Sequence, residues 1–424
     1  MKRFLAMALC CLLIYMNIMP VYAAPKAWDG TLVSESAILI DGKTGQVLFE
    51  KNGYSKMYPA STTKILTGLL ALEHGNLSDN ITYGHEAIYS IERGSSHASI
   101  SEGEVLTLEQ SMYALAIESA NDAAAGIGEY LVQKTGTPLS QLMTDRAKAA
   151  GALNSNFVNP HGLPDDNHYT TAYDLAMIAK ECIKLEDFRK IFTSKTYSIP
   201  PTNSQSETRT FNNANWFTNG VFIYDGNFTA EGFLMSKTGY TDEARHTLVT
   251  AFEKDGAALI CVVMKGGKES IYYDTEKLLN WGFETYKSVD LTGEYIALCA
   301  DEEIRCDDRG RLFIEKENIT AEGASVLLKE GQKGNDVKAI FSRPVLNSDM
   351  TTATMTATLY IEENGNKVTL AQVPASATVS ERMAVSVIPQ VETSLVSDLT
   401  MAVLFGLLTF IAVMICDILI GKRI

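Results

Sequence analysis

Hydrophobic positions change texture three times along this chain. Ser36 to Ile40 is apolar and partly β-branched, Asp41-Gly42-Lys43-Thr44-Gly45 carries turn residues, and Gln46 to Glu50 resumes the run. Two such runs about a turn predict a β-hairpin. Beyond Pro59, Ile65, Leu66, Leu69, Leu70 and Leu72 recur at helical spacing, predicting a helix from Ser61 to His74 that Gly75 closes. Leu108 to Tyr130 is alanine-rich and predicts helical pieces before and after Ser119, with further helices over 138–150 and 171–184. Strands are predicted at Phe233–Thr238, Thr247–Phe252 and Ala257–Met264, then a helix over Ser270–Tyr286 with Leu278, Leu279 and Phe283 on its apolar side. A hairpin, a helical block, more strands and a closing helix predict an α/β domain of one sheet covered by helices.

From about residue 289 the texture shifts. Short runs such as Arg311 to Glu315, Val337 to Phe341 and Ala353 to Ile361 alternate with Gly, Asn and Asp turns, predicting a small β-rich domain over 289–388. Residues 389–398 link it to the third texture, an almost wholly apolar run from Leu399 to Cys416 that Asp417 interrupts before Ile418-Leu419-Ile420 and the closing Lys422 and Arg423. About 20 apolar residues span a bilayer and basic residues stay on the cytoplasmic side. The expectation is therefore a transmembrane anchor over 399–420 with a cytoplasmic tail of 421–424. At the other end Lys2 and Arg3 precede the apolar run Phe4–Met19, and Val21-Tyr22-Ala23 offers small residues for cleavage, the layout of a signal peptide over 1–23. The bulk of the chain, with a catalytic domain over 24–288, is then expected outside the membrane.

The formal net charge of −15 argues against a nucleic-acid partner, whose backbone needs a basic footprint. It also disfavours anionic lipid, so membrane contact rests on the apolar run. Of seven cysteines, Cys10 and Cys11 leave with the signal and Cys416 lies in the anchor. Cys182 and Cys261 sit in apolar stretches and are expected as buried thiols. Cys299 and Cys306 have a spacing that allows a bridge without deciding it. No Cys-x-x-Cys or His-Glu-x-x-His occurs, so neither a metal nor a cofactor is expected.

Candidate chemistry begins at Pro59-Ala60-Ser61-Thr62-Thr63-Lys64. At helical spacing Lys64 lies over the same face as Ser61, one turn on. A serine at a helix N-terminus meets unpaired N–H groups that favour developing negative charge. It becomes a nucleophile when a base takes its proton, and a lysine is that base when desolvation or a neighbouring cation lowers its pKa. Ser-x-x-Lys with Ser-Asp-Asn and Lys-Thr-Gly forms the signature of serine enzymes acting on β-lactams and wall peptides. Each companion has decoys. Lys43-Thr44-Gly45 is the hairpin turn and Lys134-Thr135-Gly136 ends a helix; only Lys237-Thr238-Gly239 ends a strand-like run. Ser78-Asp79-Asn80 spells its triplet literally, yet it follows the far end of the Ser61 helix, about 20 Å away at 1.5 Å per residue. Ser119-Ala120-Asn121, at a break in the helical block, is the better-placed match.

With these elements in order the chain resembles the D-alanyl-D-alanine carboxypeptidases of the low-molecular-mass penicillin-binding type. The resemblance covers roughly residues 30 to 288. It includes Tyr58-Pro59-Ala60-Ser61-Thr62-Thr63-Lys64, Glu118-Ser119-Ala120-Asn121-Asp122, Asn159-Pro160-His161-Gly162, and Lys237-Thr238-Gly239-Tyr240-Thr241-Asp242. It implies a serine β-lactamase/DD-peptidase-like domain: an antiparallel sheet covered by helices, with a helical subdomain. It further implies catalytic roles for Ser61, Lys64 and Ser119, and substrate binding by Asn121, Lys237, Thr238, Gly239 and Tyr240. Ser61 would carry the acyl group, Lys64 accept its proton, Ser119 relay a proton to the leaving amine, and Lys237 with Thr238 bind the terminal carboxylate. Backbone N–H groups of Ser61 and Tyr240 would form an oxyanion hole. The implied partners are peptidoglycan pentapeptide stems as substrate, β-lactams as covalent inhibitors and the bacterial cell membrane as tether. Two rival readings share the triplets: a β-lactamase, and a non-catalytic β-lactam-binding sensor. His161 reads as a structural member of its turn, not a triad base, and the three tryptophans as packing residues. Arg245-His246 departs from the family pattern. Either the next strand packs differently or Arg245 adds a positive charge near the carboxylate site.

Overall fold

The computed structural model describes Trp28, residues 30–221 and 229–291, and, between 304 and 381, all but 307–311, 316–318, 322–324, 330 and 364. The expected signal peptide, linker and anchor lie outside the described residues, among which no helix is long and apolar enough to cross a membrane.

The central sheet is antiparallel. Its strands are β1 (Ser36–Asp41), β2 (Val47–Lys51), β3 (Phe233–Thr241), β4 (Arg245–Lys254) and β5 (Ala257–Gly266), in the order β2-β1-β5-β4-β3. β1 is buried along its whole length, and β5 except at Lys265. Strands covered on both faces read as continuous apolar runs instead of alternating ones. Ile38, Ile40, Ile260 and Val262 face the helical block, while Leu39, Leu48, Leu259 and Val263 face the closing helix.

The helices that frame the sheet and the site include α1 (Lys64–His74), α2 (Leu108–Tyr113), α3 (Asn121–Thr135), α4 (Ala172–Cys182) and α5 (Ser270–Thr285). Every residue of α1 from Lys64 to Ala71 is buried. A helix apolar all round belongs inside, and α1 packs against both α3 and α4. α5 covers the opposite face through Leu278, Leu279 and Phe283, with Trp28 and Trp281 packed beside them. Cys182 and Cys261 are buried thiols, as expected. Cys299 lies outside the described residues.

Two features differ from the sequence reading. The pairs Asn80–Thr82 with Val105–Thr107 and Thr196–Ile199 with Arg209–Asn212 are strands the sequence did not reveal. Three or four residues are too few to establish an alternating period. The domain boundary expected at 288/289 falls inside β6 (Tyr286–Asp290), which leaves α5 directly and pairs with β7 (Ser325–Lys329). Tyr286 and Leu327 are buried in the cluster beneath α5, so the β-rich region starts on the core of the central sheet. Beyond it, the hairpin β8 (Thr352–Glu363) and β9 (Asn366–Thr378) closes over Val326 and Leu328 with Met355, Ala357 and Leu359.

Candidate active site

Ser61 lies in a 3₁₀ turn, Ala60–Thr63, that runs straight into α1, and not in the first α turn as predicted. The tighter coil eclipses residues three apart, and Lys64 Nζ stands 2.8 Å from Ser61 Oγ. The same nitrogen donates to Asn121 Oδ1 at 2.7 Å and to the carbonyl of His161 at 2.7 Å.

Ala60, just before the serine, has φ 49°, a left-handed conformation that costs an alanine about 1–3 kcal/mol. The neighbouring turn holds it there. Gly162 has φ +87°, and a Cβ on it would lie 1.8 Å from the Ala60 carbonyl oxygen. Thr67 Oγ1 donates to Pro160 O at 2.6 Å, and His168 Nε2 lies 2.8 Å from Thr63 Oγ1. Asn159-Pro160-His161-Gly162 thus braces the Ser61 turn.

Ser119 closes a π-helical turn, Ala114–Glu118, in a left-handed conformation (φ 58°, ψ 31°), and α3 restarts two residues later. Such turns inside helical runs frequently mark functional sites. Here it aims Ser119 at β3, where Lys237 Nζ donates to Ser119 Oγ at 2.8 Å and to Thr238 O at 2.9 Å. β3 presses against the serine turn: a Cβ on Gly239 would come 2.8 Å from Ser61 N and 2.5 Å from Thr247 Oγ1. Only glycine permits that approach.

Burial lowers the pKa of Lys64 well below the ordinary amine value, the Lys237 charge lowers it further, and Asp122 opposes both. Burial brings Lys237 down to about 7. Asp122 itself is engaged in structure, accepting from the backbone N–H of Ala98 and Ile100. His161 falls to about 3 through burial, then Lys64 and His168. Its ring Nδ1 accepts from Leu163 N at 3.2 Å, so it supplies a carbonyl and not a base.

Ser61, Ser119, Asn121, Thr238, Gly239 and Tyr240 line one cleft of about 580 Å³. Lys64 and Lys237, both buried, stand behind that surface. All eight residues singled out from the sequence therefore converge. The sequence reading missed others on the same wall: Ser95, Ser96, Trp216, Lys268 and Tyr272. Trp216 stacks on Tyr272 with ring centroids 4.6 Å apart, a contact no local pattern announces.

Arg245-His246 keeps the pairing with β3, with Thr241 opposite Arg245 and Tyr240 opposite His246, while the register against β5 shifts between His246 and Leu248. Arg245 takes the left-handed corner of the turn (φ 53°), and His246 is the one that reaches the cleft, its ring centroid 4.5 Å from Tyr240. The decoy triplets serve structure. Thr44 Oγ1 donates to Asp41 Oδ2 within the hairpin turn. Asp79 Oδ2 accepts from Tyr130 OH at 2.5 Å and Lys134 Nζ at 3.0 Å, so two decoys close on each other away from the cleft.

A hydroxyl facing a desolvated amine, a second hydroxyl–amine pair beside it and an edge strand along an open cleft can acylate a serine with an extended peptide end. Comparison with known proteins agrees. Residues 22–268 match the family model of the D-alanyl-D-alanine carboxypeptidases, peptidase S11. The chain is 31% identical over 397 residues to D-alanyl-D-alanine carboxypeptidase DacF of Bacillus subtilis, covering 89% of this chain and 94% of that protein. The crystal structure of a D-alanyl-D-alanine carboxypeptidase from Mycobacterium tuberculosis superposes with a TM-score of 0.53 at 26% identity, over 62% of this chain and 96% of that one. That of DacD from Francisella tularensis, at 20% identity, shares the fold with a TM-score of 0.59 over 86% of this chain and 98% of its own. The chain belongs to the D-alanyl-D-alanine carboxypeptidase family of serine peptidases.

Proposed function

We propose that this chain removes the terminal D-alanine from peptidoglycan stem peptides through an acyl-enzyme on Ser61. The observation that carries the reading is the 2.8 Å contact between Ser61 Oγ and the buried Lys64 Nζ. In its neutral form that amine accepts the Ser61 hydroxyl proton as Oγ bonds to the carbonyl carbon between the two D-alanines. The oxyanion takes hydrogen bonds from the backbone N–H groups of Ser61 and Tyr240. The C–N bond then breaks. Ser119 passes a proton to the departing nitrogen, with Lys64 on one side and Lys237, 2.8 Å from Ser119 Oγ, on the other. Asn121 holds the substrate amide while fixing Lys64, and the Thr238 hydroxyl meets the terminal carboxylate. Water adds to the ester carbon, its proton returns through the same amine, and Ser61 is free again. A β-lactam acylates the same oxygen and leaves a slowly hydrolysed adduct.

The same reading places the catalytic domain outside the cell membrane, exported by residues 1–23 and tethered by 399–420. The apolar run before Lys422 and Arg423 supports it.

The test is incubation with a peptide ending in D-Ala-D-Ala. Free D-alanine and, with penicillin, a long-lived mass adduct on Ser61 are expected. Release retained in Ser61→Ala would exclude the mechanism, and rapid turnover of penicillin would favour a β-lactamase.

A further inference from the structure

Three segments that build the cleft continue past it into a second hollow of about 360 Å³. The edge strand β3 lines the cleft as far as Thr241, and the turn that follows lines the hollow with Glu243 and Ala244. The loop that braces the Ser61 turn leaves the cleft at Leu163 and reaches the hollow at Asp166 and Tyr169. The segment before Ser61 borders it with Lys56 and Tyr58. None of these charged groups takes part in the acyl transfer at Ser61.

The direction of the substrate follows from the reacting groups. With its free end at Thr238 and the scissile carbonyl at the N–H of Tyr240, a peptide lying along β3 runs upstream toward Thr241 and the turn. One residue of extended chain advances about 3.3 Å. The residue before the penultimate D-alanine then stands level with Thr241, and a long side chain on it reaches the hollow. The hollow offers charges of both signs. Lys265 is committed to Glu35 at 2.9 Å. The carboxylates of Asp166 and Glu243 are exposed and make no hydrogen bond or ion pair with a described residue. Lys56 has the Tyr169 ring as its neighbour, 3.2 Å from the ammonium to the ring centre, and no carboxylate among the described residues. A group carrying an ammonium and a carboxylate together complements both.

We propose that this hollow is an upstream subsite for the side chain of the residue before the penultimate D-alanine, and that it selects a side chain ending in an amino-acid head. The ammonium of that head sits between Asp166 and Glu243, and its carboxylate meets Lys56 above the Tyr169 ring. Stem peptides with a neutral side chain at this position are the poorer substrates. The proposal rests on the carboxypeptidase reading and names the substrate class within it.

The experiment measures kcat/KM for D-alanine release from three peptides ending in X-D-Ala-D-Ala, with norleucine, lysine or 2,6-diaminopimelate at X. An exposed charge pair is worth about two- to fivefold. Wild type should therefore rank diaminopimelate over lysine and lysine over norleucine by that factor at each step, and added salt should shrink both steps. The double variant Asp166→Asn with Glu243→Gln should erase the step between lysine and norleucine. Lys56→Met should erase the step between diaminopimelate and lysine, and Lys56→Arg should restore it. Stoichiometric labelling of Ser61 at saturating penicillin verifies that each variant is folded. Equal kcat/KM on the three peptides in wild type, or steps that survive in the variants, would overturn the subsite while D-alanine release left the functional reading standing. A wild-type chain that released no D-alanine from any of the three would sink both.

Discussion

Lys237 donates to Ser119 Oγ across 2.8 Å, joining an edge strand to a left-handed helix break 118 residues earlier in the chain. Lys237 is buried and Ser119 half-buried. In the proposed mechanism this pair passes a proton. Ser119→Ala is therefore expected to lower kcat for D-alanine release by about 100-fold or more, the usual scale of general acid–base catalysis, with little change in KM. Steady-state kinetics on a D-Ala-D-Ala peptide check it. A raised KM at unchanged kcat would instead make Ser119 a binding group.

The two amines are electrostatically coupled, which fixes a sign. Lys64 must be neutral to take the serine proton, and the positive charge on Lys237 lowers its pKa. As pH falls both amines protonate and acylation slows. In Lys237→Met the repulsion is gone, the Lys64 pKa rises, and the acid limb of the acylation profile should move to higher pH. Stopped-flow acylation by penicillin across pH gives the answer. A limb shifted to lower pH would contradict the coupling.

Gly162 tests the brace behind the nucleophile. A methyl group there meets the Ala60 carbonyl at 1.8 Å in a backbone conformation unfavourable for any L side chain. Gly162→Ala should cost more than about 2 kcal/mol, strain and clash together, and lower the rate of Ser61 labelling by penicillin. Thermal melting and a labelling time course measure the two effects. A variant with wild-type stability and labelling would mean the turn does not support Ser61.

Arg209 holds the cleft's outer loop. Its guanidinium pairs with the fully buried Glu104, while Nη1 donates to the carbonyls of Ala98 and Ser99 at 3.1 Å each. Arg209→Met leaves the Glu104 carboxylate without its cation, and about 3–5 kcal/mol of stability should be lost in urea denaturation. Replacing both partners with apolar residues should cost less than replacing the arginine alone.

Ending the chain at Asp398 should release an active, soluble enzyme, whereas the full chain should sediment with membranes. Fractionation followed by the D-alanine assay decides it. Full-length protein found wholly in the soluble fraction would rule out the tether.

Much of the site was legible because its parts are local. Ser61 and Lys64 are one helical turn apart, Lys237-Thr238-Gly239 closes a strand-like run, and Ser119 marks a break in an alanine-rich stretch. Context also separated real triplets from decoys: Lys134-Thr135-Gly136 ends a helix, and the structure gives Lys134 to Asp79. The short strands of 196–199 and 209–212 were not legible, being too brief to show a period. Nor was the start of the β-rich region, because β6 continues α5 without a turn signal.

Hydrophobic spacing and local turn chemistry were enough to place the main strands and the buried helix, and the ordered motifs carried the family resemblance. These depend on neighbours within a turn or two of chain. Only folding in three dimensions decided which way each charge points. Lys237 turned inward to Ser119, and His161 offered its carbonyl in place of its ring. The reason is physical: burial and partner choice set the pKa and direction of a charged group, and they arise from segments a hundred residues apart that meet only in the packed molecule.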